Sequence, residues 1–452
     1  MQTHYHGRKK ILIDTDVITA DNVVKYLRET LQTHESNRNA CDYLWKYYKG
    51  ETPVFGKTKE YRESINNVVT EARAMQTVEF YQGYIFGEPV QYNRIGDEKV
   101  SDDVQWLNRE MKARDKTALD DELAEKMLVM GVAPRMALPE EGRIFEIYNL
   151  DPRSAYVAYH NGLGEKPVMC VKYVEKSDST VVYSVYTKEC YFEIVDDSVT
   201  TQTPHTMDKV PMTEYCLNNV RMGIFEPGLT IMDAIDNLQS NRMDDIQQFV
   251  NSILAIIGAE LTEETINKLA AWGAMSLPDG TDAKYLSAAL SQADIQTFKN
   301  DLLAAYTEIT GMPNRNGGSS TSDTGSAVLL RDGWEIADAK AKRIETQFKK
   351  AERVILGLVL GFASLSDIAL VPEDVDIKFT RRNYENIQTK AQVLTSMLAS
   401  GKVAPRLAFL HCGMFPDPEQ AYLESMEWYE KNKPQVAVQP GQAEDIPPGG
   451  DA

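Results

Sequence analysis

The spacing of apolar residues changes period several times along this chain, and each change marks an element. Over roughly the first 130 residues the period is helical. Tyr61, Ile65, Val68, Ala72 and Met75 alternate by four and three, which predicts an amphipathic helix opening near Tyr61. Leu119, Leu123, Met127 and Met130 form a second stripe that stops at Gly131. From Val132 to about Val195 short β-branched and aromatic runs predict strands at 143–149, 154–159, 168–174, 181–186 and 190–195. Asp151-Pro152 and Asn161-Gly162 supply turns, so the pattern is that of an antiparallel sheet.

Beyond a connector holding Pro204 and Pro211, Ile231, Ile235, Leu238, Ile246, Phe249, Ile253 and Ile256 follow at helical spacing until Gly258. Thr230 and Asp233 resemble a capping box at its start. The other face, Asp233, Asp236, Asn237, Gln239, Asp244, Gln247, Gln248 and Asn251, is polar and acidic throughout, as expected of a helix turned to water. A short helix from Thr262 to Gly273 and a hairpin over 276–286 around Pro278-Asp279-Gly280 come next. A further helix opens at Ser291 and stops at Gly311 and Pro313.

Residues 314–326, NRNGGSSTSDTGS, contain nothing to bury. After them Leu330, Trp334, Ala337, Ala341, Ile344, Phe348, Ala351, Ile355 and Leu358 keep a strict four-three alternation and predict a long helix, the most strongly patterned of the chain. Asp338 with Lys342, and Glu345 with Lys349, add acid-before-base pairs one turn apart. A strand over 375–380, helices from Asn386 to about Lys431 and a disordered Pro/Gly/Gln-rich tail over 434–452 complete the reading. The fold class is therefore α+β, mainly helical.

Charge narrows the function. The chain has 452 residues with 48 basic and 67 acidic side chains, a net charge of −19, which is the reverse of a protein that grips nucleic acid through its phosphates. Five cysteines, Cys41, Cys170, Cys190, Cys216 and Cys412, form no CxxC, so neither a disulfide framework nor a zinc ribbon is expected. No secretory signal follows the charged N-terminus, and the longest apolar stretch, Val354 to Leu365, falls short of a membrane span and reads as a buried helix end.

Enzyme signatures fail in turn. The Gly/Ser stretch at 317–325 lacks the Walker lysine, so no phosphate loop is expected. Gly162 to Pro167 begins like GxGxxG but places Pro last and precedes no long amphipathic helix, which makes it a hairpin turn. Six scattered histidines form no HExxH. The pairs Asp102-Asp103, Asp120-Asp121, Asp196-Asp197 and Asp244-Asp245 point about 100° apart on a helix and read as solvated surface rather than metal ligands. Asp14-Thr15-Asp16 reads as part of an extended arm. No catalytic residue, cofactor or metal is expected.

The string Gln82-Gly83-Tyr84-Ile85-Phe86-Gly87-Glu88-Pro89-Val90-Gln91-Tyr92 resembles the GYxxGxPVxY signature of tailed-bacteriophage portal proteins, in the branch typified by phage SPP1. Several later features agree in order: the Asn149-Leu150-Asp151-Pro152 turn, the Gly258-Ala259-Glu260-Leu261 helix exit, Trp272, the Leu277-Pro278-Asp279-Gly280 turn and a long helix after a Gly/Ser loop. The resemblance spans about residues 20–430. It implies a portal fold of wing, stem, clip and crown, assembled as a dodecameric ring around a central channel at one capsid vertex. In these terms residues 1–19 are an N-terminal arm, 20–225 the wing, 226–257 and 291–312 the two stem helices, and 258–290 the clip between them. Residues 313–326 correspond to the tunnel loop, 327–385 to the long helix and its return to the wing, 386–433 to the crown and 434–452 to the tail.

The resemblance further implies double-stranded DNA passing through the channel in packaging and ejection, and a separate terminase large subunit as motor. Head-completion or adaptor proteins, the major capsid protein and scaffolding protein are the other implied partners. No membrane is involved, and the site is the virion, with the host cytoplasm during assembly. Candidate DNA-facing residues of the tunnel loop are Asn314, Arg315, Asn316, Gly317, Gly318, Ser319, Ser320 and Thr321, with Arg315 the fixed positive charge. Gln247, Asn251 and Lys299 are candidates for the channel-lining stem, and Trp272, Pro278, Asp279 and Gly280 for the clip surface that docks partners. The rival readings are another minor head or head-tail adaptor protein, and a head-associated hydrolase or nuclease. The latter requires a nucleophile or metal constellation that the sequence does not display.

Overall fold

A computed structural model describes residues 7–59, 64–95, 101–250, 253–257, 282–286, 292–313, 333–366, 368–380, 387–415 and 418–432. The chain divides into two units, Met1–Arg382 and Asn383–Ala452.

In the first unit β1 (Ile11–Ile13) precedes α1 (Val23–Tyr48), α2 (Arg73–Phe86), β2 (Gln91–Arg94), α3 (Ser101–Ala113) and α4 (Lys116–Met130). Eight strands follow: β3 (Val132–Glu140), β4 (Arg143–Asn149), β5 (Ala155–His160), β6 (Pro167–Glu175), β7 (Val181–Tyr186), β8 (Cys190–Val195), β9 (Ser198–Pro204) and β10 (Met212–Cys216). Then come α5 (Leu229–Val250), β11 (Ile253–Ile257), β12 (Asp282–Leu286), α6 (Gln292–Thr310), α7 (Trp334–Ala363) and β13 (Val375–Lys378). The second unit holds α8 (Ile387–Ala399), α9 (Pro405–His411) and α10 (Pro418–Lys431).

The strands expected between 132 and 195 split into two sheets. One has the order β1-β5-β6-β7-β8-β9, antiparallel except where β1 runs parallel to β5 with Ile11 opposite Ala158. The other has the order β10-β3-β4. Helix α1 serves both layers. Its first half packs Val23 and Leu27 on the six-stranded sheet, while Cys41, Leu44, Tyr47 and Tyr48 enter the main core with α2, α4 and α7. That core runs along α7, whose buried Ala341, Ile344, Phe348, Ala351, Ile355 and Leu358 are the predicted stripe. The Val354–Leu365 apolar run spans the last turns of α7 and the short 3-10 helix at Ser364–Ser366. No described helix is long and apolar enough to cross a membrane.

Four expectations are corrected. The first 130 residues are not all helical, because Ile11–Ile13 and Gln91–Arg94 are strands that complete sheets distant in sequence. The helix expected from Tyr61 begins at Arg73, after Ala72 at φ +47°, and residues 64–72 are irregular. The helix expected to reach Gly258 ends at Val250, since Ile253–Ile257 is rich in β-branched residues and pairs antiparallel with Asp282–Leu286. Asp120 and Asp244, read as solvated, are buried.

Glycine is required where backbones meet. At Gly131 (φ +76°) a Cβ would lie 2.3 Å from the Arg221 carbonyl oxygen. At Gly223 it would lie 2.3 Å from that of Val129. These contacts hold the end of α4 against the loop that leads into α5.

Candidate functional site

Helices α5 and α6 form an antiparallel hairpin. Arg242 of α5 donates to the Gln292 and Gln296 side chains at the start of α6 (2.6 and 3.1 Å), and Gly228 before α5 abuts the Tyr306 ring near the end of α6. The pairing of β11 with β12, Ile253 opposite Leu286 and Ile257 opposite Asp282, continues the hairpin. Its root is fixed in the core: Met232, Ile235 and Tyr306 are each no more than 2% exposed. Glu226, at the turn into α5, is buried with Arg8 at 2.5 Å, and also accepts from the Gly7 and Gly223 amides. The N-terminal segment is thereby tied to the base of the hairpin.

The polar face of α5 is only partly solvated. Asn237 is exposed, but Asp236, Gln239, Ser240, Asp244 and Gln247 are matched to the irregular segment 64–72, a strap laid along the helix. The amides of Asn67, Val69 and Glu71 donate to Asp244 Oδ1 (2.6 Å), Ser240 Oγ (3.0 Å) and Asp236 Oδ1 (3.1 Å). Two residues of extended chain advance ~6.6 Å and four residues of helix ~6 Å, so alternate amides meet successive helical turns. This is why residues 64–72 do not make a helix: alternate amides are satisfied by α5 instead of by their own carbonyls. Asp244 also receives Lys57 and Lys59 at 2.7 and 2.6 Å, and its side chain is fully buried. Burial alone would raise its pKa, but the two lysines and Asn67 outweigh that and hold the carboxyl well below the usual range. Asp236 takes the Thr52 hydroxyl at 3.0 Å, and Asp233 the Tyr47 hydroxyl at 2.8 Å.

The predicted stem residues fall on this strapped side. Gln247 accepts from the Asn67 side-chain amide at 2.7 Å, and Lys299 pairs with Glu71, which also receives Gln239 at 2.9 Å and Arg73 at 2.5 Å. Asn251, residues 314–321 expected to form a tunnel loop, and Trp272, Pro278, Asp279 and Gly280 lie outside the described residues. The described ends of that loop rest on one helix. Tyr81 of α2 donates to the carbonyls of Thr310 and Gly311 at 2.9 and 3.0 Å, and Phe80 and Tyr84 pack on Trp334 at 6.0 and 5.9 Å. Lys340 of α7 adds a cation at the carbonyl end of α6, 2.7 Å from the Thr310 oxygen, where the helix dipole favours it. Burial lowers its pKa to about 8.

The sequence motif has a structural use that its spelling does not disclose. Gly87 ends α2, and the chain turns to place Tyr92 on β2, fully buried, where its hydroxyl donates to Glu352 of α7 at 2.5 Å. Glu352 also accepts from Tyr215 and faces Lys116 at 3.1 Å and Arg135 at 3.5 Å. Asp120 completes the set at 2.5 Å from Lys116 and 2.7 Å from Arg135. Two acids and two bases are thus buried together where α4, β3 and α7 meet. The sequence carried one signal for them, acid or base at core-facing positions of otherwise apolar elements. Among the described residues no group of three or more His, Cys, Asp and Glu could hold a metal.

The family described as phage portal protein, SPP1 Gp6-like, matches residues 27–435. No curated protein matches the chain. Among solved structures, a chain from the neck of an empty GTA particle computed with C6 symmetry is 12% identical over 76% of this chain and 90% of its own, with a TM-score of 0.51. Chains from the virion of a native gene transfer agent particle and from the neck of a native GTA particle computed with C12 symmetry are each 13% identical over the same shares, with TM-scores of 0.46 and 0.45. The first of these likenesses establishes a shared fold. The family match takes in the two-sheet body, the hairpin and the long helix alike, and this chain therefore belongs to the phage portal protein family of the SPP1 Gp6-like type.

Proposed function

We propose that twelve copies of this chain close into a ring at one vertex of a phage head and form the conduit for double-stranded DNA during packaging and ejection. Terminase large subunit and head-tail connector proteins dock on it in turn, and the chain itself performs no bond chemistry. The carrying observation is the family match over residues 27–435, which includes a hairpin rooted in the core and exposed beyond it. Met243, Ile246 and Phe298 are 46%, 40% and 53% exposed on the flanks of that hairpin. In a heterologous ring each subunit covers such flanks with two different faces of its neighbours. The solved chain that shares the fold comes from a particle neck computed with C6 symmetry, a symmetry that a ring of twelve satisfies. Twelve chains of −19 carry about −228, so the assembled wall repels phosphate overall and lets it slide.

Native mass spectrometry and negative-stain imaging of the purified chain test the reading. Closed rings of twelve are expected, with thirteen also compatible for recombinant protein. Only monomers or two-fold dimers, across protein and salt concentrations, would overturn it.

A further inference from the structure

The order of packing across the hairpin assigns its sides. On α5 the residues that hold the strap, Asp236, Ser240, Asp244 and Gln247, fall within an arc of about 80° at 100° per residue, and Arg242, which reaches α6, lies about 200° round from their centre. Helix α5 thus meets the strap on one side and α6 on the other, and its exposed Asn237, Asn241 and Asp245 lie on a flank between them. On α6 the residues turned to α5 and the strap are Gln292, Gln296, Lys299 and Tyr306. About 150° round from these lie Thr297, Asp301, Ala304 and Glu308, spaced by four, three and four, and all exposed. Helix α6 itself reaches the strap through Lys299 and α2 through the Tyr306 hydroxyl, so the stripe is the side of α6 turned from α5, strap and α2 alike. The strap runs straight into α2, whose Ala74, Val78 and Tyr81 sit in the main core.

In a closed ring the bulk of each subunit lies outside the channel, so the side of the hairpin turned from the body is the one presented to the axis. We infer that the second stem helix lines the channel through Thr297, Asp301, Ala304 and Glu308, and that the acidic face of the first stem helix is turned away from DNA, towards its own strap. This rests on the channel reading above and moves the stem wall from Gln247 and Lys299 to a different stripe. The chemistry suits a sliding polyanion. The stripe offers a hydroxyl, a methyl and two carboxylates per subunit and no lysine or arginine, so phosphates meet repulsion and water rather than ion pairs that would hold them. Lys299, the cation closest to the stripe in sequence, is kept from DNA by Glu71.

Photo-cross-linking tests it. Thr297→Cys, Asp301→Cys and Gln247→Cys rings, each checked for closure by imaging, are labelled with benzophenone maleimide, built into heads and filled with DNA, with the unsubstituted chain as the blank for the native cysteines. Irradiation is expected to give DNA adducts at 297 and 301 at least ten-fold above the blank, and at 247 no more than the blank. Adducts at 247 equal to those at 301 overturn the inference and leave the portal reading intact. Absence of adducts at all three positions in DNA-filled heads also overturns it. Failure of the unsubstituted chain to close into a ring defeats both.

Discussion

Replacing Glu352 by Gln tests the physical account of how this body is held together. The carboxylate is fully buried, accepts two tyrosine hydroxyls and faces Lys116 at 3.1 Å and Arg135 at 3.5 Å. Burial by itself raises its pKa, but Lys116, Arg135 and the hydroxyls outweigh it, so the group is ionised in the fold. The amide keeps the shape and one acceptor and removes the charge. Two buried cations then share Asp120 alone, and breaking a buried pair in this way costs about 3–5 kcal/mol. Over a unit spanning Met1–Arg382, an unfolding entropy of ~2.1 cal/mol/K per residue gives about 0.8 kcal/mol/K, so the melting temperature should fall by roughly 4–6 °C. Differential scanning calorimetry of variant and parent in the same assembly state measures it. Adding Lys116→Met leaves the Arg135–Asp120 pair balanced and should recover about half of the loss. A fall below about 1 °C for the single variant, or strictly additive losses in the double, would refute the charge-balance argument.

Two further outcomes follow from the geometry of single residues. His34 is 2% exposed, stacked on Tyr156 at 4.3 Å, with Tyr173 Oη 3.2 Å from its Nε2, and burial lowers its pKa to about 4. Because the folded value lies below the unfolded ~6.5, the neutral ring is favoured in the fold, and stability present above pH ~6.5 is lost as pH falls towards 4, by roughly 3 kcal/mol in all. Melting curves should show His34→Phe flattening the decline between pH 6.5 and 4.5, and an unchanged slope would count against the assignment. Ser240 Oγ is the rung that accepts the Val69 amide. Ser240→Ala should speed exchange of that amide about ten-fold, a rung of ~1–1.5 kcal/mol, while the α5 amides keep their protection. Hydrogen exchange read by mass spectrometry decides this, and unaltered exchange over 64–72 would mean that the strap is held by other contacts.

What the sequence by itself determined is whatever depends on local period and turn chemistry. The strands at 143–149, 181–186 and 190–195 and the stripe of the long helix required only that apolar side chains recur every two residues or every three to four. The stop of α4 at Gly131 required only a left-handed residue. The family, too, was legible, because its motif is a contiguous string ending at Tyr92. Tertiary structure decided whatever depends on which distant partner takes a polar group. Tyr61 to Met75 has a helical spelling, yet the amides of 67, 69 and 71 go to side chains some 170 residues away on α5. Asp120 and Asp244 look like solvated acids until Arg135 of β3 joins Lys116, one turn back on α4, at the first, and Lys57 and Lys59 reach the second from far along the chain, to make their burial tolerable. The same holds for the hairpin of α5 and α6. A single amphipathic helix tells only that one face is polar, and whether that face meets water, DNA or its own chain is fixed by the element packed on it, here a strap that period alone cannot place.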